Sequence, residues 1–428
     1  MFCLLFPLDV SIIIVVLILL QIVLPFVSVL TSLYFAFMFF SRPRRLQHVV
    51  APGRPANRLL VLIPARNEEN VIRRALDSLR QVDYPKDLLD ICVIADNCSD
   101  RTADIARSAG IRVLERYDLA RRSKAYALHW AFYDIGLLDA GYDAITILDA
   151  DSLVRPDFFR HVDGKLRQGA RIVQGSRRPL NPGDSVFTAV MGITYAFENR
   201  LWYVPHANHG LSTMIVGTGV TISCDHLRLI GWDIRTLVED AEFTIQSILA
   251  GERVHYCDEA IILAELPSTF RMLWRQLRRW FSGHIACGRF YLPAIWHKVR
   301  LERGGQASIL LVNLIIPFTC TIGLVQILLG LITTYQLVGG RTSLPAILSG
   351  LMLNQLVGMA AAVIVLLIDG CFPDHCLKDY WKGVIFFPYL SVFLGVIYLV
   401  SYIHPKKVWV PMEHSKIKSS RPQAEDHR

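Results

Sequence analysis

The sequence predicts an α/β domain with a largely parallel sheet, combined with α-helical transmembrane segments before and after it. Between residues 58 and 264, short apolar runs alternate with helical patterns, as they do in parallel-sheet proteins. On both sides of that region lie apolar runs of about 20 residues or more, the length needed to cross a bilayer. The chain has 428 residues, 53% of them hydrophobic, so it is long enough for two or three domains.

The first element is an N-terminal transmembrane helix, predicted within residues 1–45. The apolar run from Val10 to Phe40 exceeds the roughly 20 residues of a membrane span. A secretory signal peptide would have a shorter apolar region, a basic start and a small-residue cleavage site, which this run lacks. Asp9 precedes the run and Arg42 to Arg45 follow it, so the positive-inside rule places residues 46–268 in the cytoplasm.

Four strand patterns follow, and each ends near a polar cluster. They are Leu59–Pro64, Ile91–Ala95, a third near Arg112–Leu114, and Ile145–Leu148. Helical patterns come between them, as in a parallel sheet with crossover helices. Because the carboxyl ends of parallel strands meet at one edge of a sheet, we expect the polar clusters to form one site.

The fourth strand runs directly into two carboxylates. Asp149 and Asp151 follow it with only Ala150 between them. Acids at this spacing can reach one divalent cation, and Mg²⁺ and Mn²⁺ prefer such oxygen ligands. An isolated D-x-D motif is more often a capped turn before a helix. The motifs elsewhere in the chain favour the metal site.

Five motifs occur in the order and with the gaps of one enzyme family. They are Ile63-Pro64-Ala65-Arg66-Asn67-Glu68, Asp96, Asp149-Ala150-Asp151, Val238-Glu239-Asp240 and Gln276-Leu277-Arg278-Arg279-Trp280. With them, residues 58–285 resemble the inverting family-2 glycosyltransferases with a GT-A (Rossmann-like) fold, in particular the membrane-embedded cellulose, chitin, hyaluronan and poly-N-acetylglucosamine synthases. The resemblance implies a UDP-sugar donor, Mg²⁺ or Mn²⁺, and a glycan or lipid-linked acceptor.

The resemblance assigns the donor site to the ends of the first strands. Asp96 would hold the uracil or ribose of the donor, and Pro64, Arg66 and Glu68 would line the same pocket. The alternative for Asp96 is an Asx-turn with its own backbone. Lys124 matches a lysine that the family places near the diphosphate, and a solvated surface charge is an equally good interpretation of it.

The same resemblance assigns the metal and the chemistry. Asp151 would bind the cation, and Asp149 would contact the ribose or the metal. Asp240 would be the general base, with Glu239 beside it, although acids at a helix N-terminus also interact favourably with the helix dipole. Relatives usually carry threonine where this chain has Val238; the departure removes a hydroxyl and keeps both acids.

The acceptor and the diphosphate would be contacted from two further segments. Gly217-Thr218-Gly219 would approach the terminal sugar, and a simple turn is an equally good interpretation. Residues 269–300 are predicted to form amphipathic interfacial helices. There Gln276, Arg279 and Trp280 share one face, with Arg279 near the diphosphate and Trp280 stacked on the acceptor sugar. Membrane-surface anchoring is the alternative for this segment.

Residues 301–405 are predicted to form C-terminal transmembrane helices, and residues 406–428 a basic tail. The apolar runs are 307–338, 344–368 and 384–403. Three crossings would place the tail outside, whereas Lys406, Lys407, Lys416 and Lys418 favour the inside. The two observations agree if one segment, such as the run with Pro317, is re-entrant or interfacial. The stretch Val408–His414 resembles a segment that folds over the donor in relatives.

The sequence therefore predicts a multi-pass enzyme of the cell membrane with a cytoplasmic catalytic domain. It would move a sugar from a UDP-sugar to a growing glycan with inversion, in processive synthesis coupled to export. Single-sugar transfer to a lipid-linked acceptor, and a non-catalytic membrane scaffold, are the alternatives. The partners would be the donor, the acceptor and membrane lipids; the resemblance allows an accessory subunit. The chain has a formal charge of +8, and its basic clusters lie next to apolar runs. This placement fits the positive-inside rule of membrane proteins better than it fits nucleic-acid binding.

Overall fold

The structure is a computed structural model that describes residues 54–302, 305–311, 344–370 and 377–406, together with residues 33, 34, 37 and 40. Within these residues the chain forms one mixed sheet of eight strands. The strands are β1 (Leu59–Ala65), β2 (Leu89–Asp96), β3 (Arg112–Arg116), β4 (Ala144–Ile147), β5 (Leu153–Val154), β6 (Ile172–Pro179), β7 (Val220–Ser223) and β8 (Val254–Ala264). Their order across the sheet is β3-β2-β1-β4-β7-β6-β8-β5.

Helices cover the sheet and continue beyond it. They are α1 (Ile72–Arg80), α2 (Thr102–Ser108), α3 (Lys124–His129), α4 (Phe158–Arg167), α5 (Val186–Phe197), α6 (Val204–Asn208), α7 (Cys224–Ile230), α8 (Glu239–Leu249), α9 (Phe270–Leu301), α10 (Leu344–Asp369), α11 (Leu377–Phe386) and α12 (Leu390–Ile403). Two π-helices, Trp130–Asp134 and Glu198–Tyr203, extend α3 and α5.

Strand β1 shows why its sequence is apolar at every position. Leu59, Val61 and Ile63 are fully buried in the core that contains α1. Leu60 and Leu62 point to the opposite face and are fully buried against α3. Because successive side chains alternate between faces, a strand covered by helices on both sides needs apolar residues throughout.

The sheet is mixed where the alternating pattern predicted a parallel one. Strands β1 to β4 pair in parallel, but β7 is antiparallel to both β4 and β6. Strand β7 has four residues, too few to give a signal of its own in the sequence. Its register sets Val220 opposite Ile147, so the loop before β7 lies next to the end of β4.

Several element boundaries differ from the prediction. Strand β4 ends at Ile147, before the predicted Leu148, because the N–H of Asp149 donates to Thr218 Oγ1 at 3.1 Å instead of continuing the ladder. The predicted interfacial segment forms one helix, α9, which runs through Pro293 to Leu301.

The apolar segments are only partly described. Among the described residues, one helical segment, Leu377–Ile403, is long and apolar enough to cross a membrane, and Gln355–Asp369 is a shorter apolar stretch. The predicted run 384–403 lies within the first of these. Most of the predicted N-terminal span, most of the run 307–338 and the stretch 408–414 lie outside the described residues.

A buried ion cluster joins the end of α10 to the sheet. Asp369 is 1% exposed, and its carboxylate lies 2.7 Å from Arg200 Nε and 3.4 Å from Arg178 Nη1. Both arginines also donate to the Asp369 carbonyl at 3.1 Å. Asp258 completes the cluster, 2.9 Å from Arg200 and 3.6 Å from Arg178. Arg178 is on β6 and Arg200 is on the second π-helix, so α10 is tied to both elements.

Candidate active site

A cavity of about 820 Å³ opens at the edge of the sheet where β1, β2 and β4 end. Of the fifteen predicted site residues, all of which the structure describes, fourteen line it. These are Pro64, Arg66, Glu68, Asp96, Lys124, Asp149, Asp151, Gly217, Thr218, Glu239, Asp240, Gln276, Arg279 and Trp280. The expected convergence of the polar clusters is therefore present in the fold.

The exception is Gly219, whose role is in packing. Its φ is +68°, and a Cβ placed there would lie 2.1 Å from the Cδ1 atom of Ile262. Gly217, by contrast, faces the cavity: its φ is +85°, and a Cβ there would lie 3.3 Å from Asp240 Oδ2. The absence of a side chain at Gly217 lets the loop approach the carboxylate of Asp240 closely.

Lys124 connects three parts of the site. Its Nζ atom lies 2.5 Å from Asp149 Oδ1, 2.5 Å from the Gly217 carbonyl and 3.5 Å from Glu239 Oε1. Burial alone would lower the pKa of Lys124, but the carboxylates of Asp149, Glu239 and Asp240 together raise it. With 16% of its side chain exposed, Lys124 is a fixed cation of the cavity and not a solvated surface charge.

The two acids at the start of α8 have different surroundings. Glu239 is 14% exposed and faces Lys124. Burial raises the pKa of Glu239; the charge of Lys124 opposes this shift and that of Asp240 adds to it. Asp240 Oδ1 accepts the N–H of Ala241 at 2.8 Å, and its Oδ2 atom faces Gly217. Glu239 is thus engaged in an ion pair, whereas Asp240 is directed toward the loop at the centre of the cavity.

The acid pair after β4 fits a cation that binds together with a phosphate. No cluster of three or more His, Cys, Asp or Glu side chains suited to a metal occurs in the part of the chain that the structure describes. Asp149 and Asp151 both lie on the cavity wall. Mg²⁺ is commonly held by one or two carboxylates, with substrate phosphates and water completing its shell. Two carboxylates are sufficient for that kind of site.

At the end of β2, on the side of the cavity predicted to bind the donor, Asp96 has a buried partner that the sequence did not reveal. Arg116 Nη1 donates to Asp96 Oδ1 at 2.7 Å, and Asn97 Nδ2 donates to the same atom at 2.9 Å. Burial raises the pKa of Asp96, and Arg116 opposes the shift. Arg116 lies directly opposite Asp96 in the β2–β3 pairing. The contact could therefore have been predicted only from the register of these two strands. The Asp96 carboxylate is thus held by Arg116 and Asn97, and not by the Asx-turn that was the alternative interpretation.

Sequence reasoning also missed an arginine–glutamate pair, Arg177 and Glu198, on the opposite side of the cavity. Arg177 Nη2 lies 3.3 Å from Glu198 Oε2, and its guanidinium carbon lies 3.8 Å from the ring centre of Tyr195. Both members of the pair line the cavity. Glu198 begins the second π-helix, a form that is frequent at functional sites and has no sequence signature of its own.

Helix α9 brings its predicted residues to the cavity on one face. Gln276 is 9% exposed, and its Oε1 atom accepts no hydrogen bond from the described residues. Arg279 Nη1 donates to the carbonyl of Leu237, just before α8, at 3.1 Å. Trp280 lies with its ring centre 6.0 Å from the guanidinium carbon of Arg177. The i, i+3, i+4 spacing correctly predicted a shared face.

One cavity of this mixed sheet thus collects an acid pair after β4, a buried lysine at the start of α3 and a second acid pair at the start of α8. This is the arrangement of a GT-A glycosyltransferase. Residues 55–283, more than half of the chain, match the family model described as "Glycosyltransferase like family 2". The chain belongs to this family, which confirms the family-2 part of the resemblance drawn from its motifs. The similarity to the membrane-embedded polysaccharide synthases stays a prediction.

Curated proteins and solved structures that are similar to the chain include the following three. A "Probable glycosyltransferase YdaM" of Bacillus subtilis (strain 168) is 31% identical over 247 residues, 52% of this chain and 54% of the relative. A "Probable glycosyltransferase" of Sulfolobus acidocaldarius is 26% identical over 231 residues, 53% of this chain and 49% of the relative. The chain thus spans about half the length of the curated relatives it matches.

The solved structure is the mannosyltransferase PcManGT from Pyrobaculum calidifontis in complex with GDP-Man and Mn²⁺. It is 16% identical, has a TM-score of 0.55, and is matched over 92% of this chain and 99% of its own. At this identity the likeness shows the fold alone, and it extends beyond the catalytic domain to most of the chain.

Proposed function

We propose that the protein is a membrane-bound, metal-dependent glycosyltransferase that moves a sugar from a UDP-sugar to a growing glycan with inversion. The observation that carries the proposal is the meeting of Asp149, Asp151, Lys124 and Asp240 in one cavity. A nucleoside diphosphate leaving group needs stabilisation of negative charge, and an acceptor hydroxyl needs a base. This cavity offers side chains for both.

The reaction is a single in-line displacement. Asp240 takes the proton of the acceptor hydroxyl, and the oxygen forms a bond to the anomeric carbon of the donor sugar. The bond from that carbon to the diphosphate breaks, and its electron pair leaves with the nucleoside diphosphate. With one displacement and no covalent intermediate, the configuration at the anomeric carbon inverts. Glu239 is the weaker candidate for the base because Lys124 already pairs with it.

The cation would be held by Asp151, with Asp149 beside it. Mg²⁺ or Mn²⁺ there would act as a Lewis acid toward the diphosphate oxygens. Lys124 and Arg279 add fixed positive charge to the same region. Asp96 and its neighbours Pro64, Arg66 and Glu68 would bind the nucleoside. The mannosyltransferase similar in fold is in complex with GDP-Man and Mn²⁺, so a guanine nucleotide is the competing donor class.

Processive synthesis at the cell membrane is the finer part of the proposal. The support is the apolar segment Leu377–Ile403, the apolar runs elsewhere in the sequence, and the position of Trp280 at the cavity. An aromatic ring can stack on the apolar face of a pyranose and retain the growing end between additions. The alternative is single transfer to a lipid-linked acceptor. The size of the product distinguishes this alternative from processive synthesis.

The test uses the full chain in lipid with a panel of radiolabelled UDP- and GDP-sugars. We expect nucleotide release from one UDP-sugar, dependent on Mg²⁺ or Mn²⁺ and lost in Asp240→Asn. Sizing of the labelled product should give a ladder or a high polymer. One sugar per acceptor would contradict processivity. No nucleotide release from any donor would contradict the activity itself and favour a scaffold.

A further inference from the structure

The pair formed by Arg177 and Glu198 lies on the wall of the cavity away from the nucleoside side. Asp96 ends β2 and Arg177 is on β6, with β1, β4 and β7 between them. Four strand spacings of about 4.8 Å separate these strands by roughly 19 Å. Both residues still face one cavity. A donor bound with its nucleoside at Asp96 would extend toward the pair.

The pair is also close to the proposed base. Arg177 Nη1 donates to the carbonyl of Val216 at 3.4 Å, and the next residue, Gly217, faces Asp240. The charge of Asp240 also acts on Arg177. A group bound by the pair would therefore lie beside the atom that accepts the proton. That is the position of the acceptor.

Aromatic rings surround the pair. The guanidinium of Arg177 stacks over Tyr195 at 3.8 Å and lies 6.0 Å from the ring centre of Trp280. Trp202 and Tyr203, from the same π-helix as Glu198, line the cavity as well. Rings next to a paired donor and acceptor of hydrogen bonds match a pyranose, which has apolar faces and hydroxyls at its edge.

The charge of the cavity disfavours an anionic acceptor. Among the described residues that line it, eight side chains are carboxyls and four are arginine or lysine, so acidic groups are in excess. A nucleotide-sugar diphosphate and a divalent cation bring nearly equal and opposite charges, so they leave this excess in place. Arg177 could attract a phosphate, but Glu198 lies 3.3 Å from it and would repel one.

The ion cluster around Asp369 fixes the two elements on which Arg177 and Glu198 lie. Arg178, next to Arg177 on β6, and Arg200, two residues after Glu198, both bind Asp369. The two elements that carry the pair are thus fixed to the same buried carboxylate. A recognition site needs such support, because small displacements of its groups weaken binding.

We propose that Arg177 and Glu198 form an acceptor subsite for a neutral, hydroxyl-bearing sugar. Arg177 donates to one oxygen of that sugar, Glu198 accepts from a neighbouring hydroxyl, and Trp280 covers its face. The inference rests on the proposed function and narrows it: the acceptor is a glycan or a glycoside, and the new bond is glycosidic. A lipid phosphate acceptor would instead give a glycosyl phosphate.

The first experiment identifies the new bond. Membranes that contain the full chain are incubated with the radiolabelled UDP- and GDP-sugar panel, and the product is treated with mild acid. A glycosyl phosphate is cleaved under these conditions, whereas a glycoside survives. We expect an acid-stable product. Release of the label as the free monosaccharide would overturn the proposal, because it shows that the new bond was a glycosyl phosphate. No release of nucleotide from any donor would instead overturn the proposed function.

The second experiment tests the residues. Glu198→Gln keeps the shape of a side chain that is 38% exposed, so it should fold normally, and thermal unfolding checks this. We expect transfer to the acceptor to fall about 10- to 100-fold, the effect of losing a hydrogen bond to a charged group. Nucleotide release in the absence of acceptor should stay near wild type. Arg177→Gln should show the same split.

Glu259→Gln is the matched control, since Glu259 is an exposed acid outside the cavity, and both activities should be unchanged. Equal losses of transfer and nucleotide release in Glu198→Gln would place the pair in donor binding or in folding and overturn the subsite. Unchanged transfer in both Glu198→Gln and Arg177→Gln would overturn it as well.

Discussion

At the scale of single residues, the adjacent acids Glu239 and Asp240 differ in what surrounds them. Lys124 pairs with Glu239, and Gly217 leaves room next to Asp240. Converting Asp240 to Asn keeps the shape and removes the proton acceptor, so turnover should fall at least about 10²-fold. Nucleotide binding, measured by calorimetry, should change little because the proposed nucleoside pocket around Asp96 is formed by other residues.

The comparison with Glu239→Gln makes this prediction specific. That change removes the charge of one of the two carboxylates that pair with Lys124 and should affect donor binding more than the chemical step. Near-normal turnover in Asp240→Asn together with an inactive Glu239→Gln would show that the two roles are reversed.

The acid pair after β4 gives a prediction about metal. Chelation by EDTA should abolish turnover, and Mg²⁺ or Mn²⁺ should restore it, since the leaving diphosphate needs the cation. Asp151→Ala should be inactive while its thermal unfolding stays close to wild type. Asp104→Ala, an exposed acid on α2, is the control. Full turnover in metal-free buffer would show that Asp151 has another role.

The sequence predicted residues that belong to local motifs and missed those that depend on register. Asp149, Asp151 and Asp240 stand at strand or helix ends, where a short pattern is informative. Arg116 reaches Asp96 only through the pairing of β2 with β3, and Glu198 is placed by a π-helix. Neither contact has a signature along the chain, because each depends on elements that meet only after folding.

At the scale of elements, the turn before β7 combines two glycines with different tasks. Gly219→Ala should lower the stability by about 1–3 kcal/mol through overpacking against Ile262. The positive φ adds roughly 1–2 kcal/mol. Gly136→Ala is the control, since Gly136 also has a positive φ and a Cβ there would meet nothing within 4 Å. If both variants lower the unfolding temperature equally, the added methyl group at residue 219 does not destabilise the protein through its contact with Ile262.

Element boundaries followed from the sequence only where the hydrophobic pattern was long. Strand β1 was predicted almost to the residue because both of its faces are buried. Strand β7 and the antiparallel pairing were missed, since four residues carry too little pattern and strand direction is a tertiary property. The segment predicted over residues 269–300 is a single helix, α9, which continues through Pro293 to Leu301.

At the scale of the whole molecule, the side of the membrane reached by the tail is the open prediction. Its lysines should hold residues 406–428 in the cytoplasm. A cysteine introduced as Ser419→Cys should then resist a membrane-impermeant reagent on intact cells and react after permeabilisation. The parent protein, with its nine native cysteines, gives the background. Labelling on intact cells would show that the tail is outside the cell. It would then exclude the predicted role of Trp409 and His414 next to the donor.

The contact between Asp369 and the two arginines limits how the chain can be divided. Cutting after residue 302 would keep the entire sheet and Asp258 but remove Asp369, the more buried of the two carboxylates that pair with both Arg178 and Arg200. Loss of one partner from a buried ion pair costs about 3–5 kcal/mol, a large part of the roughly 5–15 kcal/mol that stabilises a typical domain. We therefore expect a chain cut after residue 302 to be less stable than the full chain. A chimaera that grafts it onto the helices of another protein needs a carboxylate where Asp369 now stands.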